Sequence, residues 1–148
     1  MKAIVQEGYG SADTLKLHDI ETPATGENGV LVEVHAASVN ALDWHVARGV
    51  PFFIPMLEAI TAPKHRIRGV DLAGRVTAIG KNVTRFKPGD DVFGATDGSF
   101  AEFTVTTEKR LALKPAGITF DQAGTLNVAG LTALQGLRDR ARVRAAQR

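Results

Sequence analysis

The chain has no cysteine. That excludes disulfides, thiolate metal sites and a cysteine nucleophile. No apolar run approaches the roughly 20 residues of a membrane span, and the N-terminus lacks a basic segment followed by an apolar one. Neither Gly-x-Gly-x-x-Gly nor a P-loop occurs, so the usual backbone cradle for phosphates is missing. Gly8-Tyr9-Gly10 comes nearest, but it lacks the third glycine and no helical pattern follows it. No Gly-x-Ser-x-Gly marks an acyl-transfer nucleophile. His18, His35, His45 and His65 include no pair at helical i, i+4 spacing, so they offer no ready set of metal ligands. The net charge is only +2, which gives no broad electrostatic case for nucleic acid or an anionic membrane. No internal repeat or low-complexity segment is present.

What remains is an ordinary globular composition, 44% hydrophobic and 23% charged over 148 residues. That length can bury one good core, and the cytoplasm is the default compartment. The organising stretch runs from Gly69 to Gly94. Leu72, Gly74, Val76 and Ala78 fall on one side of an extended chain, and Ala73, Arg75, Thr77 and Ile79 on the other. Gly74 inside this strand predicts a bend or a close backbone approach. Gly80 ends the run, and Lys81-Asn82 suits a reversal. Lys87-Pro88-Gly89-Asp90 places proline and glycine where a type II turn needs them, and Asp91-Val92-Phe93 resumes a strand.

Alternation also predicts strands at Lys2 to Gln6, Leu15 to Leu17, Val30 to Ala37, Ser99 to Thr107 and Leu111 to Leu113. Asn40 reads as a helix N-cap with Asp43 in the capping-box position, and Gly49 closes that helix near Arg48. Pro51 to Pro63 carries three prolines around Phe52-Phe53-Ile54. It reads either as a loop packing its own aromatics or as a flap over an apolar pocket. Thr119 with Gln122 predicts a helix starting near Phe120. Val128, Leu131, Leu134 and Leu137 recur every three residues and predict an amphipathic helix to about Arg140. The basic run from Arg138 to Arg148 reads as a solvated helix end.

The Gly69 to Gly94 stretch resembles the core of the GroES-like catalytic domain of medium-chain dehydrogenases/reductases. Within that superfamily it is most similar to the zinc-independent quinone oxidoreductase branch. Four further segments match in order: Met1 to Ile4, Val34 to Asp43, Phe100 to Phe103, and Ala129 to Leu134. The resemblance implies a mainly β fold with short helices, a partly open barrel over residues 1–126. Residues 127–148 would form a helix and basic tail leading toward a dinucleotide-binding domain.

The resemblance further implies hydride transfer from NADPH to a small hydrophobic quinone or enone. Zinc-dependent relatives carry glycine-histidine-glutamate where this chain has Gly69-Val70-Asp71, and a cysteine near Asn40, so no metal is expected. By matched motif, Asn40 and Thr132 are the candidate cofactor contacts. Asp43, Trp44, Phe52, Phe53 and Phe93 are candidates for the substrate pocket. Relatives often place a tyrosine near Trp44, and the indole supplies no hydroxyl in its place. Simpler roles stand beside these: Asn40 and Asp43 as a helix cap, and Thr132 bonding back to a carbonyl. No catalytic acid is assigned. Without a phosphate cradle, the 148 residues alone are expected to have little oxidoreductase activity. The rival from another class is a non-enzymatic GroES-like binding module, with self-association through an exposed interface.

Overall fold

Val30 and Val32 on one strand face Ile79 and Val76 on the next, and this β-branched pairing is the centre of the protein. A computed structural model describes residues 1–50 and 66–144. Phe52, Phe53 and His65, with the rest of the proline-rich stretch, lie outside the described residues. The elements are β1 (Lys2–Gln6), β2 (Leu15–Asp19), β3 (Gly29–Ala36), α1 (Ala41–Arg48), β4 (Asp71–Ile79), β5 (Asp91–Ala95), β6 (Phe103–Thr107) and β7 (Leu111–Leu113). Two short helices follow, α2 (Phe120–Ala123) and α3 (Leu131–Leu134). Wider π-type turns flank α3 at Leu126–Gly130 and Gln135–Arg140.

Five strands form an antiparallel sheet in the order β6-β3-β4-β5-β7, and β1 pairs with β2 in a separate two-stranded sheet. Single bridges Ala3↔Ala101 and Val5↔Ile67 join the two. The sheets do not close on each other, which gives the mainly β, partly open architecture that the family resemblance implies. The core cluster is Val30, Val32, Leu72, Val76, Val83, Phe86, Val92 and Leu111. Each buried aliphatic side chain of this size contributes about 1.5–3 kcal/mol by leaving water.

The register of β3 on β4 slips between Leu31 and Val32 and again between Val34 and Ala36. Such bulges bend a strand and increase its twist. Gly74 sits opposite Val34 between these irregularities. A Cβ built on it would lie 2.0 Å from the carbonyl oxygen of Glu33. The bend therefore needs a residue with no side chain there. At the other turn, Gly89 adopts φ 95° and Asp90 N–H donates to the Lys87 carbonyl at 3.2 Å, as a type II turn requires.

Two sequence expectations change. The strand predicted over Ser99 to Thr107 pairs with β3 only from Phe103 onward. Residues 99–102 also meet β1: Ile4 N–H donates to Phe100 O at 2.8 Å and Glu102 N–H to Lys2 O at 3.0 Å, while Glu102 O accepts the Val34 N–H of β3 at 2.8 Å. The helix predicted from Phe120 is interrupted after Ala123 and continues to Arg140 through the π-type turns. Its apolar stripe is not covered by the described residues, since Leu131, Leu134 and Leu137 remain 47%, 46% and 58% exposed.

Candidate functional site

The site is built where β3 runs into α1. Ala36 ends the strand, Ser38 and Asn40 lie in the connection, and α1 starts at Ala41. Asn40 is extended, with φ −109° and ψ 159°, as an N-cap must be. Asp43, three residues on, accepts the Asn40 backbone N–H at 2.8 Å. That fixes the first turn and turns Asp43 inward, where it is only 6% exposed. Burial raises the Asp43 carboxyl above the ordinary carboxylate range. The nearby charge of Asp71 acts the same way, while hydrogen bonds from Asn40 and Gly69 oppose both.

Asp71 opens β4 and is 1% exposed. Its Oδ2 accepts Ser38 Oγ at 2.8 Å and Asn40 Nδ2 at 3.1 Å. Its Oδ1 accepts Asn127 Nδ2 at 3.2 Å and Val128 N–H at 3.0 Å. A buried carboxylate is tolerated when its lone pairs are met in this way. One side chain thus joins the α1 cap, the central sheet and the start of the last helical run. Sequence reasoning recorded Asp71 only as the occupant of a motif position. The available signal was an acid between Val70 and Leu72 in a strand buried on both faces, which needs donors from elsewhere in the fold.

The far end of α1 is held by a second polar cluster, also missed in the sequence. Gln6 on β1 donates through Nε2 to Gly8 O at 2.7 Å and Ala47 O at 2.8 Å. The buried Arg68 donates from Nε to Gln6 Oε1. Between the 10–15 connection, α1, Arg68 and Phe100 lies a cavity of about 440 Å³. Leu15, Val39, Trp44 and Phe100 give it an apolar lining, and Asp43, Arg48 and Arg68 give it charge. The Arg48 guanidinium sits 5.0 Å from the centroid of the Trp44 ring. Asp43 and Arg68 also line a smaller neighbouring pocket with Leu42, Ile67 and Val70.

Asp43 and Trp44 therefore share one cavity, and Asn40 is coupled to it through the Asp43 cap. Phe93 lies elsewhere, in a groove of about 440 Å³ shared with Leu126, Gly130 and Leu131. Thr132 is exposed, and its Oγ1 donates to the Val128 carbonyl at 2.6 Å. Asp71 links the two regions, because Val128 is the residue it holds at the base of that helical run. Among the described residues no group of three or more His, Asp or Glu side chains converges as a metal site would. Among them, too, no helix is long and apolar enough to cross a membrane.

Residues 26–116 match the alcohol dehydrogenase GroES-like domain family. The chain is 38% identical, over 93% of its length, to an NADPH-dependent alkenal/one oxidoreductase, chloroplastic, of Arabidopsis thaliana. It superposes on the quinone oxidoreductase from Coxiella burnetii with a TM-score of 0.88 at 33% identity, covering 99% of this chain and 46% of that one. It superposes on the Escherichia coli quinone oxidoreductase complexed with NADPH with a TM-score of 0.81 at 25% identity, covering 93% and 40%. The chain spans 37% of the Arabidopsis relative and 44% of a quinone oxidoreductase of Sus scrofa to which it is 31% identical. With the β3–β4 core inside the matched residues, the chain belongs to the alcohol dehydrogenase GroES-like domain family, in the quinone oxidoreductase branch of the medium-chain dehydrogenases/reductases.

Proposed function

We propose that these residues form one wall of a hydride-transfer cleft in which NADPH reduces a quinone or an enone without a metal. The observation that carries this reading is the cavity beside Trp44. It is mostly apolar, large enough for a small aromatic ring system, and has few polar groups at its edge. The names of the relatives, quinone and alkenal/one oxidoreductases, supply the reaction class.

NADPH, when bound, supplies the hydride from its nicotinamide ring. The described residues suit only that end of the cofactor. Asn40 and Thr132 would flank the ring, with Phe93 on an apolar wall. No strand-to-helix glycine turn is present to hold the phosphates. Asp71 keeps the Asn40 amide and the Val128 turn in one rigid arrangement. Such rigidity matters because hydride transfer requires the reacting atoms to be held within about 3–3.5 Å. Asp43 closes the polar edge, and Trp44 and Phe100 exclude water from the acceptor.

The test is a chimera. These 148 residues replace the matching stretch of the Coxiella burnetii quinone oxidoreductase, and NADPH oxidation is followed with 1,4-naphthoquinone. Quinone-dependent oxidation should persist. A folded chimera that binds NADPH but does not reduce the quinone would overturn the reading. The 148 residues alone should turn over slowly or not at all.

A further inference from the structure

The mouth of the Trp44 cavity is not electrically neutral. Arg48 and Arg68 both line it, and Asp43 is the one acid among its described lining residues. That acid is buried, with Oδ2 turned onto the Asn40 backbone N–H at 2.8 Å. Arg68 is buried as well and hydrogen-bonded to Gln6. Arg48 differs from both. It is exposed, with its guanidinium carbon 5.0 Å from the centroid of the Trp44 ring, and no carboxylate among the described residues forms an ion pair with it. Asp13, next to the lining residues Ser11 and Ala12, accepts Ser11 Oγ at 2.9 Å.

The apolar floor and this cationic rim together select a particular ligand. A flat apolar body can lie against Trp44 and Phe100. An anionic substituent on that body can then reach the Arg48 fork, which lies over the indole at 5.0 Å. An ordered guanidinium loses less side-chain freedom when it binds a carboxylate or sulfonate, and its paired N–H groups match their oxygens.

The geometry points to an acceptor that is acidic: a quinone or enone bearing a carboxylate or sulfonate, its ring beside Trp44 and its charge on Arg48. This rests on the reading of the cavity as the acceptor pocket, and it adds the substrate class that the rim prefers. The helix direction agrees: Arg48 is the last residue of α1, where a cation is stabilised by the helix dipole.

Trp44 is the single tryptophan of the chain, so its fluorescence reports on this cavity alone. The probes are 1,4-naphthoquinone and 1,4-naphthoquinone-2-sulfonate, titrated into the intact chain, with calorimetry in parallel. The sulfonate should bind about fivefold more tightly than the neutral quinone at low ionic strength, the scale of one solvent-accessible ion pair. The ratio should fall toward one in R48Q, recover in part in R48K, and shrink at about 0.5 M salt. Equal affinities in the parent chain, or a ratio that R48Q leaves unchanged, overturn the anionic preference while the acceptor pocket stands. Failure of both quinones to bind overturns the preference and the acceptor pocket together. R48Q affects an exposed side chain, and its fold is checked by the unchanged thermal transition.

Discussion

Asp71 Oδ1 accepts the backbone N–H of Val128 at 3.0 Å, across 57 residues of chain. The same carboxylate accepts the side chains of Ser38 and Asn40 through its other oxygen. One buried acid therefore sets the spacing between the α1 cap and the helical run that carries Thr132.

Removing that acid strands several donors in a site that excludes water. D71A should cost about 3–5 kcal/mol, because each buried donor left without an acceptor loses roughly 1–3 kcal/mol. D71N should cost less, since one oxygen remains, yet its new NH2 group faces donors. Urea denaturation measures both. A D71A loss under about 1 kcal/mol would mean that water replaces the carboxylate, and the hub would have no structural weight.

Gly74 tests the bend of the central sheet. G74A puts a methyl group 2.0 Å from Glu33 O and 2.9 Å from Val32 Cγ1. The β3 and β4 backbones cannot both stay in place, so the variant should lose about 3 kcal/mol or more, or fail to fold. G8A is the control, with nothing within 4 Å of the added carbon. Its thermal midpoint should stay close to that of the parent chain, and equal shifts in the two variants would remove the close-approach explanation.

The raised carboxyl of Asp43 predicts a pH dependence of stability. The folded state binds this proton more tightly than the unfolded chain, whose value is 3.8. The contribution is fully present below that value and is lost as pH rises through the folded one. Relative to D43N, the parent chain should therefore lose stability from pH 3.8 upward. Glu108 and Asp91 work in the opposite sense, being lowered by the Thr84 N–H and by Arg75 respectively. For this reason the comparison must be a difference between two variants. Parallel stability curves for the parent and D43N would contradict the buried carboxyl.

Local chemistry made much of this fold readable from the chain. Asn40, Asp43 and Gly49 frame α1 at the residues expected, because a cap involves groups three or four positions apart. The Lys87 to Asp90 turn and the alternation of β3 and β4 depend on equally short spacings. Longer-range facts were not readable. Residues 99–102 carry a good strand pattern, but they divide their backbone bonds among β1, the 68–69 segment and β3. The stripe of Leu131, Leu134 and Leu137 announced an apolar face without saying what would lie against it. The motif carried over Phe93 and Trp44 as members of one pocket, and the chain sets them in separate cavities.

The sequence by itself determined the short strands, their turns and the α1 cap. Each of these depends on backbone preferences and side-chain reach over a few residues. Only the tertiary structure decided that Asp71 gathers donors from two distant segments, that Gln6 and Arg68 brace the end of α1, and that Arg48 stands over Trp44 at a cavity mouth. A buried polar atom takes whichever partner the folded chain brings near it. That choice is fixed by packing among distant strands, which no local pattern encodes.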